Sequence, residues 1–438
     1  MNQKPADLLE YAIHANIKIT HMKTKQLSLI ALAIATAITI TSCSKKETTT
    51  KTTPVIPPSH PITAGNISGF LKGTLLTGST YTVTADITVK AGDTLLAQPG
   101  AIVIVKNNSQ INIKGVLQLL GTQASPVFFN SDKNTPGTWG GFQCDTCQSV
   151  TIKWTHIDNT GGLDPTASPR KTIFVNYPIN VDVEDSWISG GEDDILRLQG
   201  GAKVTIVRNT FTSNGSTDGE CVNLKSGVTG VVAYNVIFGQ SGTAIKLETS
   251  ATAPNPQTIV DVYNNTAVSC GWRRGAGEPG RCVSEGLNAK ANIYNNISVN
   301  NYEGLEIFPD ADFAHTNYGY NLFYASVDAF NDNTVTPAVP VNIRANFFPN
   351  DGVGAAKASD LISTAIGNND PKFQTFDGSI VGTATGAAST NDYHLQAGSP
   401  AIGKGNTTFT LFNPTLAGGT TPDADLGAYP TDGKGNKH

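Results

Sequence analysis

The chain has 438 residues and a formal charge of −5, with 15% charged residues, 44 Gly, 23 Pro and only 2 Met. Such a composition excludes a coiled coil or long helical bundle, which needs many Ala, Glu, Lys and Leu, and a disordered chain, which carries more charge and fewer β-branched residues. The acidic balance also argues against a nucleic-acid footprint, leaving a large, turn-rich β protein.

Lys23 and Lys25 precede an uncharged apolar run over residues 27–40, and Thr41, Ser42 and Cys43 follow. A basic start, an apolar centre and small residues before a cleavage point are the parts of a secretory signal. The run, about 14 residues, is shorter than a bilayer span requires. Residues 1–42 therefore read as a signal peptide, with Met22 as an alternative start. Ile40-Thr41-Ser42-Cys43 resembles the lipobox of bacterial lipoproteins. The resemblance implies export, lipidation of Cys43 and a lipid anchor in the bacterial outer membrane, on its periplasmic or its outer face. Residues 43–65 then form the lipidated end and a Thr-, Lys- and Pro-rich flexible linker. Residues 66–430 form one domain, and 431–438 a disordered tail.

Internal repeats set the architecture. Asn209, Asn235, Asn265, Asn296 and Asn321 recur roughly every 25 to 31 residues, each just after an apolar strand such as VTIV at 204–207 or IVDVY at 259–263. An offset set of strands lies at 193–198, 220–225, 243–248 and 304–308. Their β-branched content and period-2 alternation make them strands rather than helices. A repeat of this length with several strands and no helix predicts an all-β parallel solenoid of on the order of 12–13 coils, stacked ~4.8 Å apart. The Asn side chains should bond from coil to coil at a corner. Residues 66–80 are expected to cover the first coil, and 326–430 to form irregular last coils and a cap.

The stretch 81–141 resembles the opening coils of right-handed parallel β-helix proteins of bacterial surfaces, in the pectate-lyase-like superfamily. The matching residues are Gly92, Leu95, Pro99, Gly100, Gly115, Leu117, Gly121, Thr122, Pro126, Val127, Phe129, Trp139, Gly140 and Gly141. Asp370-Pro371-Lys372-Phe373 and the runs at 392–405 and 425–430 resemble the tail of such proteins. The resemblance implies a right-handed parallel β-helix over about 66–430. It does not choose among the lyases, hydrolases and adhesins that share the fold.

Strand register places the candidate chemistry. Arg197, Asn223 and Lys246 should point outward on three consecutive coils, with Lys225 and Glu248 beside them. Such a ladder could bind the carboxylates of an acidic glycan, and Arg197 or Lys246 could act in β-elimination if a lowered pKa let it take a proton. Glu192 and Asp194 should stack over Asp218 and Glu220, an oxygen-rich set suited to Ca²⁺. Trp272, Arg273 and Arg274 interrupt the repeat in a loop that could stack a sugar and hold an anion. Cys270 and Cys282 flank that loop and are expected to form a disulfide. Cys144 and Cys147 read as a local disulfide or two buried thiols rather than half a metal site. Asp193-Asp194 echoes the paired aspartates of polygalacturonase-type glycosidases, but the Gly-His-Gly and Arg-x-Lys of those enzymes are missing. A lyase is thus expected over a hydrolase if the protein is an enzyme. The overall expectation is a monomeric, surface-anchored lipoprotein that binds or processes polysaccharide; the alternative is a non-catalytic adhesin or envelope structural protein.

Overall fold

Alternation of apolar and polar residues turns each repeat into strands with one face inward. In Leu196–Gln199, Val222–Lys225 and Ile245–Glu248 the apolar side chains are buried in one continuous core. The computed structural model describes residues 60–212, 215, 218–249, 256–379 and 391–438. The expected signal, Cys43 and most of the linker lie outside these residues. No helix among them is long and apolar enough to cross a membrane.

The strands stack as a parallel β-helix. One face is a 10-stranded parallel sheet, from Gly73–Leu75 to Asn317–Gly319. The other two form a 20-stranded assembly of two parallel ladders, joined through the long strand Thr80–Val89. Ten strands on the first face set the coil number below the 12–13 expected, because the chain spends its C-terminal residues elsewhere.

One corner is held by the predicted Asn ladder. Each Asn Nδ2 donates to the next Asn Oδ1: Asn209 to Asn235 at 3.0 Å, Asn235 to Asn265 at 2.9 Å, Asn265 to Asn296 at 3.0 Å and Asn296 to Asn321 at 3.0 Å. The ladder starts at Ser186, whose N–H donates to Asn209 Oδ1, and ends on Asp360, which accepts from the Asn321 N–H. The residue before each Asn is left-handed: Arg208, Tyr234, Asn264, Asn295 and Tyr320 have φ of 54–60°. This conformation is costly for non-glycine residues. The Asn side chains make up for it by satisfying buried backbone groups at the bend.

The two ends differ from expectation. Residues 66–80 are not a cap; Gly65–Phe70 and Gly73–Leu75 are themselves strands of the first coil. The C-terminal chain lies along the flank of the solenoid. Asn413 and Phe412 bond Asp261, the Leu416 carbonyl accepts from Thr205, and Asp425 accepts from Thr431 beside the coil corner at Asn264. Tyr234, Tyr263 and Val231 on the outside of the coils pack against Ala417. Residues 431–438 are not a loose tail. Asn436 is buried and donates to the Asn209 carbonyl, and the His438 ring stacks on Trp187 at 3.8 Å. This extends an aromatic stack in which His156 lies between Phe128 and Trp187, at 4.7 and 4.3 Å.

Candidate functional site

The outward residues of one ladder line up as expected. Arg197, Asn223, Lys246, Ser284 and Glu306 are Cα partners on successive coils. Phe174 precedes Arg197 in the same row. Three positions earlier on each coil a second row runs beside it, with Asp194, Glu220, Thr243, Arg281 and Glu303.

Asp194 and Glu220 sit one coil apart, joined by the Glu220 N–H, which donates to Asp194 Oδ1 at 2.7 Å. The Asn223 amide bridges them, donating to Asp194 Oδ2 at 3.0 Å and Glu220 Oε2 at 3.1 Å. Asn223 points away from the core yet is only 1% exposed, because neighbouring side chains cover it. Burial, reinforced by the Glu220 charge, pushes Asp194 up to about 7. Burial also acts on Glu220, but its contacts with Asp194, Lys246 and Arg274 outweigh it and hold that carboxyl low. The pair thus separates into an acid and a carboxylate, the outcome expected when like charges meet in a buried site.

Arg197, Lys225, Lys246 and Arg274 each have a carboxyl partner, whereas Arg273 turns to backbone carbonyls. Arg197 Nη1 lies 2.9 Å from Asp194, and its Nε donates to Gln199. Lys225 pairs with Glu248 at 2.5 Å, and Lys246 lies between Glu220 and Glu248 at 3.5 and 3.4 Å. Burial works against the Lys246 ammonium, but those two carboxylates raise its pKa overall. Arg274 reaches back from its loop to Glu220 at 2.8 Å and Asp218 at 3.1 Å, and also pairs with Glu278. Lys171 pairs with Asp193 at 2.5 Å.

The predicted calcium set does not assemble as one cluster. Glu192 packs over Gly137 and Gly161, where an added Cβ would collide with it. Asp218 is 68% exposed at its side chain. The oxygens of Asp194 and Glu220 are already engaged by Arg197, Asn223, Arg274 and Lys246. Among the described residues no group of three His, Cys, Asp or Glu side chains is arranged to hold a metal ion.

The loop after Cys270 is anchored rather than open. Trp272 is 5% exposed; its ring packs against Tyr302 and Phe330, and its indole N–H donates to the Asn300 carbonyl at 2.7 Å. No face of the indole is therefore free to stack a sugar. Arg273 donates to the carbonyls of Gly215 and Gly239. The expected Cys270–Cys282 disulfide is not formed, and both thiols are buried and free. The base of the loop is closed instead by Gly271 against Gly280, a contact too close for any Cβ. Cys270 Sγ turns toward the carbonyls of Val268 and Ile237, and Cys282 toward Ser298. Cys144 and Cys147 are two buried thiols, the latter directed at the Cys144 carbonyl.

The sequence reading passed over three acids. Glu285 points into the core, in register with Leu247 and Ile307. Its Oε1 accepts from Thr316, its Oε2 has no partner, and burial raises it to about 8. Glu303 and Glu306 both face Arg281. An acid at an inward strand position was the available signal for Glu285; the other two follow from extending the Asp194 and Arg197 rows through to the last coils. Neither a comparison with protein-family models nor one with curated proteins gives a match for this chain.

Proposed function

We propose that the protein is an exported, lipid-anchored β-helix that holds polysaccharide along the outward strip around Arg197, Asn223 and Lys246 without cleaving it. The carrying observation is the charge balance of the strip, where five cations face six carboxylates and each cation is paired. A lyase needs a basic group that gives up its proton near neutral pH, whereas the carboxylates beside Lys246 keep it charged. A balanced strip offers donors and acceptors at a strand spacing of ~4.8 Å, which favours hydroxyl-rich neutral or mixed-charge glycan over polyuronate. The signal-like N-terminus, the lipobox and the likeness to bacterial-surface β-helices of the pectate-lyase-like superfamily support the location and the class of ligand.

A second reading rests on the Asp194–Glu220 pair. One protonated and one ionised carboxyl side by side are the parts of acid–base hydrolysis of a glycosidic bond. The test is a glycan array probed with the full-length protein, together with assays for unsaturated products and new reducing ends on the same polymers. Binding without product, weakened about tenfold by Arg197→Ala, supports the binding role. Unsaturated product would establish a lyase instead. New reducing ends that disappear in Asp194→Asn would establish the hydrolase.

A further inference from the structure

Toward the first coils the outward strip changes character. Thr88, Asn112, Gln143 and Phe174 precede Arg197 as Cα partners on successive coils. None of these four side chains is charged, whereas Arg197 and Lys246 beyond them are. Access changes as well. Arg274 reaches over from its loop to Glu220, and in that part of the strip Asn223 is 1% exposed and the Lys246 side chain 17%. Gln143 and Phe174 are half-buried, and the Arg197 side chain is 27% exposed. A ligand lying along the coils therefore has its most open contacts at Gln143, Phe174 and Arg197, one to three coils before the covered part. Phe174 alternates with buried Ile173 and Val175, so its side chain points outward. It does not pack against the hydrophobic core, and among the described residues no other ring and no cation lies on it. On the same strand Asn176 also points outward and is exposed.

The polar neighbours of this ring are fixed in role. Gln143 Nε2 donates to the Gly140 carbonyl at 2.6 Å and to the Lys171 carbonyl at 3.0 Å. Both amide hydrogens are thereby used, so what Gln143 has left to offer is its acceptor oxygen. Arg197 has Nε on Gln199 and Nη1 on Asp194, which leaves Nη2 to donate. An acceptor and a donor thus flank one phenyl ring, each a strand spacing of ~4.8 Å away. We propose that Phe174 is the stacking platform of a pyranose subsite, with the neighbouring sugars over Gln143 and Arg197, and that the glycan held there is extended, neutral and equatorially linked. This rests on the glycan-holding role of the strip and narrows its ligand. A pyranose with equatorial hydroxyls has an apolar C–H face that can cover an aromatic ring. Extended equatorial linkage carries each next sugar onward by about one coil spacing, ~4.8 Å, so successive sugars stay over successive coils. An axially linked glycan coils away from the strip. The Gln143 oxygen accepts from a hydroxyl but cannot pair with a carboxylate, which has no hydrogen to give; this selects a neutral sugar over a uronate.

Isothermal titration of the full-length protein tests the subsite with β-1,4-linked hexamers of glucose, xylose and mannose, against maltohexaose and hexagalacturonate. At least one of the first three should bind about tenfold or more tighter than the last two. With that oligosaccharide, Phe174→Ala and Phe174→Leu should each weaken binding about tenfold, and Phe174→Tyr should stay within about twofold of wild type. Leu keeps apolar bulk without a ring, so it separates stacking from mere packing and keeps the test available if the Ala variant does not fold. Binding that falls in Arg197→Ala but not in Phe174→Leu would overturn the subsite and leave the glycan-holding strip standing. Tightest binding to maltohexaose or hexagalacturonate would do the same. Absence of binding to all five would also overturn the subsite, and the glycan array then decides the wider role separately.

Discussion

Replacing Asn235 by Ala removes one rung of the corner ladder. Asn235 Oδ1 accepts from the Asn209 N–H at 2.9 Å and from Asn209 Nδ2 at 3.0 Å. Its own Nδ2 donates to the Ile206 carbonyl and to Asn265 Oδ1, both at 2.9 Å. After the change Asn209 Nδ2 keeps the Val183 carbonyl, and Asn265 Oδ1 keeps the Asn235 N–H. The Asn209 N–H loses its acceptor, and the Ile206 carbonyl loses a donor. Both groups are buried, and each costs about 1–3 kcal/mol when unsatisfied, so the expected loss is about 3 kcal/mol. Urea denaturation of the variant against wild type reads the loss, with Gln123→Ala as the control, since exposed Gln123 lies outside the left-handed positions and its side chain makes a single long bond to the Lys437 carbonyl. The control should cost under about 0.5 kcal/mol. A loss under about 1 kcal/mol at Asn235 would refute the claim that the ladder holds the corner.

Three further outcomes follow from the same contacts. Glu285 has a folded pKa of about 8 against an ordinary value of 4.5, so the folded state holds its proton more tightly than the unfolded chain. Its contribution falls as pH rises between those values and is flat above them; Glu285→Gln should reduce the decline in stability by roughly 1.4 kcal/mol per pH unit in that window, and an unchanged slope in denaturation at several pH values would contradict it. Arg274→Ala leaves Asp218 and Glu278 without this guanidinium and removes the 2.8 Å contact to buried Glu220; it should cost about 2–4 kcal/mol and speed proteolytic cutting of the 271–280 loop, and equal cutting rates would show that the loop is held by Trp272 alone. Alkylation of the unfolded, unreduced protein should label both Cys270 and Cys282, whereas recovery of a cross-linked peptide would restore the disulfide.

The solenoid was legible because it is periodic. Each coil repeats the same alternation and five successive coils repeat the same corner Asn, so a local pattern determines what lies one coil away. The Arg197, Asn223 and Lys246 row followed from the same alternation. What was not legible has no period. Arg274 meets Glu220 from 54 residues away, through a loop whose course is set by Gly271, Gly280 and the burial of Trp272. The flank covering by Asn413, Leu416, Asn436 and His438 pairs residues more than 150 positions apart. In sequence it reads only as Gly, Thr, Asp and Pro without repeats. The assignment of Trp272 to sugar stacking failed for this reason, since its type suggested an exposed platform and its partners Tyr302 and Phe330 lie in the next coil and in the later antiparallel hairpin of Ala329–Asp332 and Val339–Asn342.

The central claim, that the strip holds glycan without cutting it, is tested most directly by size-exclusion chromatography with light scattering, after long incubation of the full-length protein with the polymer it binds best. The account predicts that protein and polymer elute together and that the recovered polymer keeps its starting mass, with co-elution lost in Arg197→Ala. A shortened polymer, or separate elution for every glycan tried, would contradict it.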